Sequence, residues 1–188
     1  MGALLLVLLS AQLPATSARH DLAQGLSRRI ADFEARFKAG KPPKEKRATV
    51  TDAELTAYVN LLPKLPKSLS NVDVKFERDR IVAKGLLDLD QLQDKMPSGS
   101  GLGLALFGGR VNVSVKGRLA SEDGFGTFQP EEVKVGSIPL APSVLQQMIA
   151  SATRSADHPD GIDILAPFRY PYGIRQIRFP PGRAVVEF

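Results

Sequence analysis

The residues with the chemistry for catalysis or metal binding are few and scattered. His158 stands in Asp157-His158-Pro159-Asp160-Gly161, with Asp163 just beyond, so one imidazole and three carboxylates share a short stretch. Such a set can hold a divalent cation. Asp-Gly after Pro is also ordinary turn grammar, and a turn without a metal is the expectation. No serine elbow accompanies His158, and His20 stands alone near the other end, so no nucleophilic triad is in view. Asp88 and Asp90 fall on one side of a strand with Asp94 close by. Paired carboxylates do acid–base work, but aspartate at the end of a strand more often caps the helix that follows. Gly99-Ser100-Gly101-Leu102-Gly103 has the look of a phosphate loop without the Gly-Lys-Ser/Thr that completes one. The chain has no cysteine, which removes thiolate nucleophiles, thiolate metal sites and disulfides. These residues therefore predict a protein that is not an enzyme, with no catalytic residue, no metal and no cofactor.

The elements that would carry such residues begin with an export address. Residues 1–18 read as a signal peptide: an uncharged apolar core through Leu9, then Pro14, then Ala15-Thr16-Ser17-Ala18 with small residues where a signal peptidase reads. The apolar run is shorter than the ~20 residues that span a bilayer. An exported, disulfide-free domain points to the bacterial periplasm or cell envelope. Charge is uneven along the remainder. Nine Lys/Arg face four Asp/Glu over residues 19–50, whereas residues 51–188 carry sixteen of each sign, so the net charge of +5 sits near the amino terminus. Residues 19–47 form a basic amphipathic helix and linker, and residues 48–188 a single domain. Within 20–39, Leu22, Leu26, Ile30, Phe33 and Phe37 make one apolar stripe. That helix either packs on the body or lies on a membrane. In the second case Arg28, Arg29, Arg36 and Lys38 would face anionic lipid. A neutral, exported body makes nucleic acid a poor partner.

Thr51 and Glu54 make a capping box that opens a helix over Leu55, Tyr58, Val59 and Leu62. From Val72 the apolar period becomes two. Strands are expected over 72–76, 81–89, 111–119, 125–128 and 133–135, with turns at Arg78-Asp79-Arg80 and Glu122-Asp123-Gly124, and Asp90 is expected to cap a short helical turn. A helix begins at Pro142, and strands follow around 162–170, 174–179 and 184–188. The sum is an α+β fold: a curved antiparallel β-sheet of about six or seven strands packed on two or three amphipathic helices.

The run Val50-Thr51-Asp52-Ala53-Glu54-Leu55-Thr56-Ala57-Tyr58-Val59 resembles the opening helix of exported bacterial lipid-binding domains. Val135-Gly136-Ser137-Ile138-Pro139-Leu140 leading into a helix, and Pro171-Tyr172-Gly173-Ile174 before the last hairpin, resemble the same group. The family is the LmeA-like phospholipid-binding group, related in architecture to tubular lipid-binding (TULIP-type) domains, and the likeness covers about residues 48–188. It implies an apolar groove between sheet and helix that shelters an acyl chain, each buried methylene contributing ~0.8 kcal/mol. The candidate lining is Leu87, Leu89, Val111, Val113, Val115, Val144, Leu145, Met148 and Ile149. Lipid, an anionic membrane surface or an envelope protein are the partners in view. A structural protein docking a partner through a sheet edge, or through the apolar loop around Leu102, Leu104, Leu106 and Phe107, is the other reading.

Overall fold

The apolar stripe of the first basic segment does wind into a helix, and that helix lies against the body. A computed structural model of the chain describes residues 13–61, 65–93, 109–154 and 159–188. Helix α1 (Leu13–Lys38) carries Pro14 in its first turn, where proline is tolerated, and runs unbroken through Ala18. Ala23 and Leu26 are buried. The Phe33 ring meets Phe188 at 4.8 Å between centroids, and Phe37 meets Tyr172 edge-on at 6.3 Å. Of the two expectations for this stripe, packing on the body is the one observed.

Helix α2 (Asp52–Leu61) begins at the expected capping box. The Thr51 N–H donates to Glu54 Oε2 at 2.8 Å, and the Glu54 N–H donates to Thr51 Oγ1 at 3.2 Å. The other Glu54 oxygen accepts from Arg29 at 2.5 Å, while the same guanidinium donates to the Thr49 carbonyl at 2.9 Å. One carboxylate thus starts α2 and ties α1 to it. Glu54→Ala is expected to cost about 2 kcal/mol, mostly from the lost cap with a smaller share from the ion pair. In a chain of this size that lowers Tm by ~4–8 °C in a thermal melt. An unchanged Tm would show that neither contact matters to stability.

The main sheet is antiparallel and six-stranded. Strands β2 (Leu69–Glu77), β3 (Arg80–Asp88), β4 (Arg110–Glu122), β5 (Phe125–Val135) and β6 (Ile138–Pro139) lie in sequence order, and β7 (Phe168–Arg169) pairs with the far end of β5. Two-residue turns with left-handed backbone join the long strands, at Asp79 (φ 58°) and at Asp123-Gly124 (φ 47° and 85°). The two segments expected at 125–128 and 133–135 are one strand with a bulge at Glu131, which has no partner on β4 between the Lys116–Glu132 and Gly117–Pro130 pairs. Gly117 is required there, because a Cβ would lie 2.6 Å from the Phe128 ring and 2.7 Å from the Gln129 carbonyl oxygen. The five-residue helix α3 (Leu89–Gln93) follows β3, and α4 (Pro142–Thr153) follows β6 with proline in its first turn.

Three expectations are corrected. The C-terminal strands β8 (Gln176–Arg178) and β9 (Arg183–Glu187) leave the main sheet and join β1 (Arg47–Thr51) in a separate sheet of order β1-β9-β8. Residues 162–167 are not strand. Asp163 Oδ1 accepts the Leu165 and Ala166 N–H groups in a local turn, Pro167 follows, and pairing starts only at Phe168. The cap of α3 is Asp88 rather than Asp90, its oxygens accepting from the Gln91 N–H at 3.3 Å and the Gln91 amide at 3.1 Å.

Strand β2 is an edge of the main sheet, and α2 covers it with side chains rather than with another strand. Val72 N–H donates to Asn60 Oδ1 at 3.0 Å, and Asn60 Nδ2 donates back to the Val72 carbonyl at 2.6 Å. Val74 N–H donates to Thr56 Oγ1 at 2.9 Å, and Phe76 N–H to Asp52 Oδ1 at 3.3 Å. Asp52, Thr56 and Asn60 are four apart on one helix face, and Val72, Val74 and Phe76 are alternate strand residues. The backbone groups of an unpaired edge are thereby satisfied.

The core falls in two clusters. Val72, Val74, Phe76, Phe179 and Ala184 are buried together under α2 and the small sheet, with Phe76 and Phe179 stacked at 5.2 Å. Leu87, Leu89, Val135 and Met148 form the other, under α4.

Candidate functional site: an apolar groove under α4

Between the two clusters the packing is interrupted. A partly open cavity of about 240 Å³ lies between the inner face of the main sheet and α4. Period-two alternation builds its floor, with Ala83, Gly85 and Leu87 of β3, Val113 and Val115 of β4, and Val133 and Val135 of β5 all pointing the same way. Leu69 and Val72 of β2 form one wall with Pro66 and Ser68 of the preceding turn, and Leu140, Leu145, Met148, Ile149 and Thr153 close the roof. The lining is hydrocarbon almost throughout. Ser68 is the one buried polar residue among the described residues, and the Thr153 hydroxyl already bonds the Ile149 carbonyl and the Ile162 N–H.

The roof is strapped from outside. Gln146 accepts the Ile164 N–H at 2.9 Å and donates to the Ile162 carbonyl at 3.2 Å. Gly161 (φ 79°) presses on the helix so closely that a Cβ would sit 2.0 Å from the Ala150 carbonyl oxygen. Only glycine fits there, on conformational and steric grounds alike.

Six of the nine lining residues expected from sequence do line this groove: Leu87, Val113, Val115, Leu145, Met148 and Ile149. Leu89, Val111 and Val144 do not. They pack into the solid cluster beside it, Leu89 at 2% exposure, because α3 turns Leu89 away from the strand alternation. The sequence reading missed Ala83, Gly85, Val133, Val135 and the β2 wall. Its overlooked signal is the pair of small residues Ala83 and Gly85 at consecutive inward positions, where a filled core would carry branched side chains.

The basic residues expected to face a membrane are differently placed from one another. Arg29 is engaged with Thr49 and Glu54, and Arg36 donates to the Pro42 carbonyl at 3.1 Å. Lys38 pairs with Glu34 at 2.6 Å, a hydrogen bond that draws the Glu34 carboxyl below its usual range and lifts the Lys38 ammonium above its own. Arg28 is exposed, and with Lys41 and Lys46 it makes no ion pair among the described residues. Of the four basic residues expected to face a membrane, Arg29 and Arg36 thus hold the helix and linker in place, Lys38 is paired on the helix, and Arg28 is exposed.

Among the described residues, those with catalytic potential do not converge. Asp88 caps α3, Asp90 accepts the Gly109 N–H at 3.1 Å, and Asp163 closes its own turn. His20 bonds Gln24 on the exposed face of α1. Asp94, Asp157, His158 and the apolar loop from Leu102 to Phe107 lie outside the described residues. Among the described residues no cluster of three His, Cys, Asp or Glu is placed to hold a metal, and no helix is long and apolar enough to cross a membrane. Burial pushes the Tyr170 phenol up, against a smaller lowering by Ser121, so it stays protonated. No protein-family model, curated protein or solved structure matches the chain.

Proposed function

We propose that this chain is a non-enzymatic, exported protein of the cell envelope that binds lipid, sheltering an acyl chain in the groove between the main sheet and α4. The observation that carries the proposal is the apolar, partly open cavity dividing the core, a hollow in which an acyl chain would bury hydrocarbon against hydrocarbon. The export pattern of residues 1–18 and the resemblance of residues 48–188 to LmeA-like and TULIP-type domains support the same reading. The excess positive charge of residues 19–50, with Arg28, Lys41 and Lys46 at its exposed positions, would hold the protein at an anionic membrane surface.

The test is native mass spectrometry of the full chain, produced through an export route and purified without detergent. A stoichiometric phospholipid or fatty acid is the expected companion. A folded protein free of lipid, which also takes up none when offered it, would overturn the proposal. Attention would then pass to the second reading, a docked envelope protein. One observation favours that alternative: Phe125 and Phe168, each about half exposed, stand on opposite faces of the sheet where β7 pairs with β5.

A further inference from the structure

Resting on that reading, we infer that the groove admits one acyl chain at a time and leaves the polar head of its ligand in solvent. The ligand class is a single-chain amphiphile, such as an unesterified fatty acid or a lysophospholipid, rather than a two-chain phospholipid.

Width is the first argument. The floor narrows over Gly85, where a Cβ would meet Leu69 Cδ1 at 2.9 Å from the β2 side and Val113 Cγ2 at 3.7 Å from the β4 side. Strands two apart in a sheet are separated by about 10 Å. Side chains leaning in from both flanks therefore leave no room there for two hydrocarbon chains side by side. Volume agrees, since about 240 Å³ falls below the ~300–1,000 Å³ of sites that enclose a drug-sized ligand.

Charge is the second argument. Lys84 and Lys134 border the groove, but each sits between inward-facing neighbours, Ala83 with Gly85 and Val133 with Val135. Alternation sends both ammonium groups to the opposite face of the sheet. Lys134 pairs there with Glu132, and Lys84 lies across from Ser114. Among the described residues that line the groove, no charged side chain is left to receive a carboxylate or phosphate, and an unpaired buried charge is prohibitively costly. The head must remain outside.

The experiment uses the full-length protein stripped of lipid by reverse-phase delipidation and refolding, checked by circular dichroism. Palmitate, palmitoyl lysophosphatidylglycerol and dipalmitoyl phosphatidylglycerol are each titrated against a bound fluorescent fatty acid. Both single-chain compounds are expected to displace the probe, with the two-chain lipid at least about tenfold weaker. Lys84→Ala and Lys134→Ala are expected to leave palmitate affinity within about twofold, because their ammonium groups face away. Equal binding of the two-chain lipid would overturn the single-chain inference while leaving lipid binding intact. A large loss of palmitate affinity in either lysine variant would overturn the placement of the head group. Failure of the probe and of all three lipids to bind would overturn both this inference and the lipid-binding function.

Discussion

Replacing Gly85 with leucine is expected to raise the melting temperature and abolish acyl-chain capture in the same molecule. The two effects have one cause. Gly85 lies at an inward position of β3 between Ala83 and Leu87, and its missing side chain is part of the hollow. A leucine there projects into the groove once the flexible end of Leu69, 2.9 Å from its Cβ, rotates aside; the Ser70 carbonyl oxygen at 3.4 Å is in ordinary contact. Filling apolar space and removing a glycine from a strand interior commonly stabilise by ~0.5–2 kcal/mol, or ~1–8 °C in Tm for a domain of this size. The occupied trough no longer admits a chain, and affinity for palmitate should fall by more than about tenfold. In a packed core the same substitution would cost ~1–3 kcal/mol through overcrowding. A lowered Tm would mean that no usable space exists, and preserved binding would place the ligand elsewhere. Ile149→Phe fills the groove from the roof and gives the same readout if β3 does not accept leucine.

The largest expected loss of stability follows from Asn60→Ala. The Asn60 amide satisfies both backbone groups of Val72, which is only 8% exposed. Alanine leaves one N–H and one carbonyl unpaired near the core, each costing ~1–3 kcal/mol. A total of about 3 kcal/mol lowers Tm by ~6–12 °C. The second consequence is association, because an uncovered edge strand templates pairing with another chain. Size-exclusion chromatography with light scattering is expected to show concentration-dependent dimers or larger species in the variant alone. Leu61→Ala, at an exposed position on the same helix, serves as the control. A monomeric variant with unchanged Tm would show that the side-chain cover is dispensable.

Much of this architecture was legible in local pattern. Thr51 and Glu54 announce the start of α2, the alternation Val111-Val113-Val115 announces β4, and Asp123-Gly124 announces the hairpin between β4 and β5. Each of these signals is complete within a few residues. The second sheet was not legible, because β1 and β9 pair Arg47 with Glu187 from opposite ends of the described chain, and no local property of Arg47-Ala48-Thr49-Val50-Thr51 names its partner. Ile162 and Ile164 look like strand residues but serve as a strap, since their partners are Gln146 and Thr153 on a helix rather than another strand. The groove was half legible. Inward positions can be counted from alternation, but a hollow is an absence of side chains, and Ala83 and Gly85 convey it only once their face is known. The role of Arg29 was hidden for a related reason, because its partner Glu54 was already accounted for as a cap.

The cover that α2 gives to β2 works because two periods nearly agree. Four helical residues advance ~6.0 Å and two strand residues ~6.8 Å, so the two scales drift by only ~0.8 Å per step, like the graduations of a vernier. Over three rungs the polar side chains absorb that drift, and the bonds run from 2.6 Å at Asn60 to 3.3 Å at Asp52. A helix can therefore stand in for a strand at a sheet edge where polar residues recur at every fourth position.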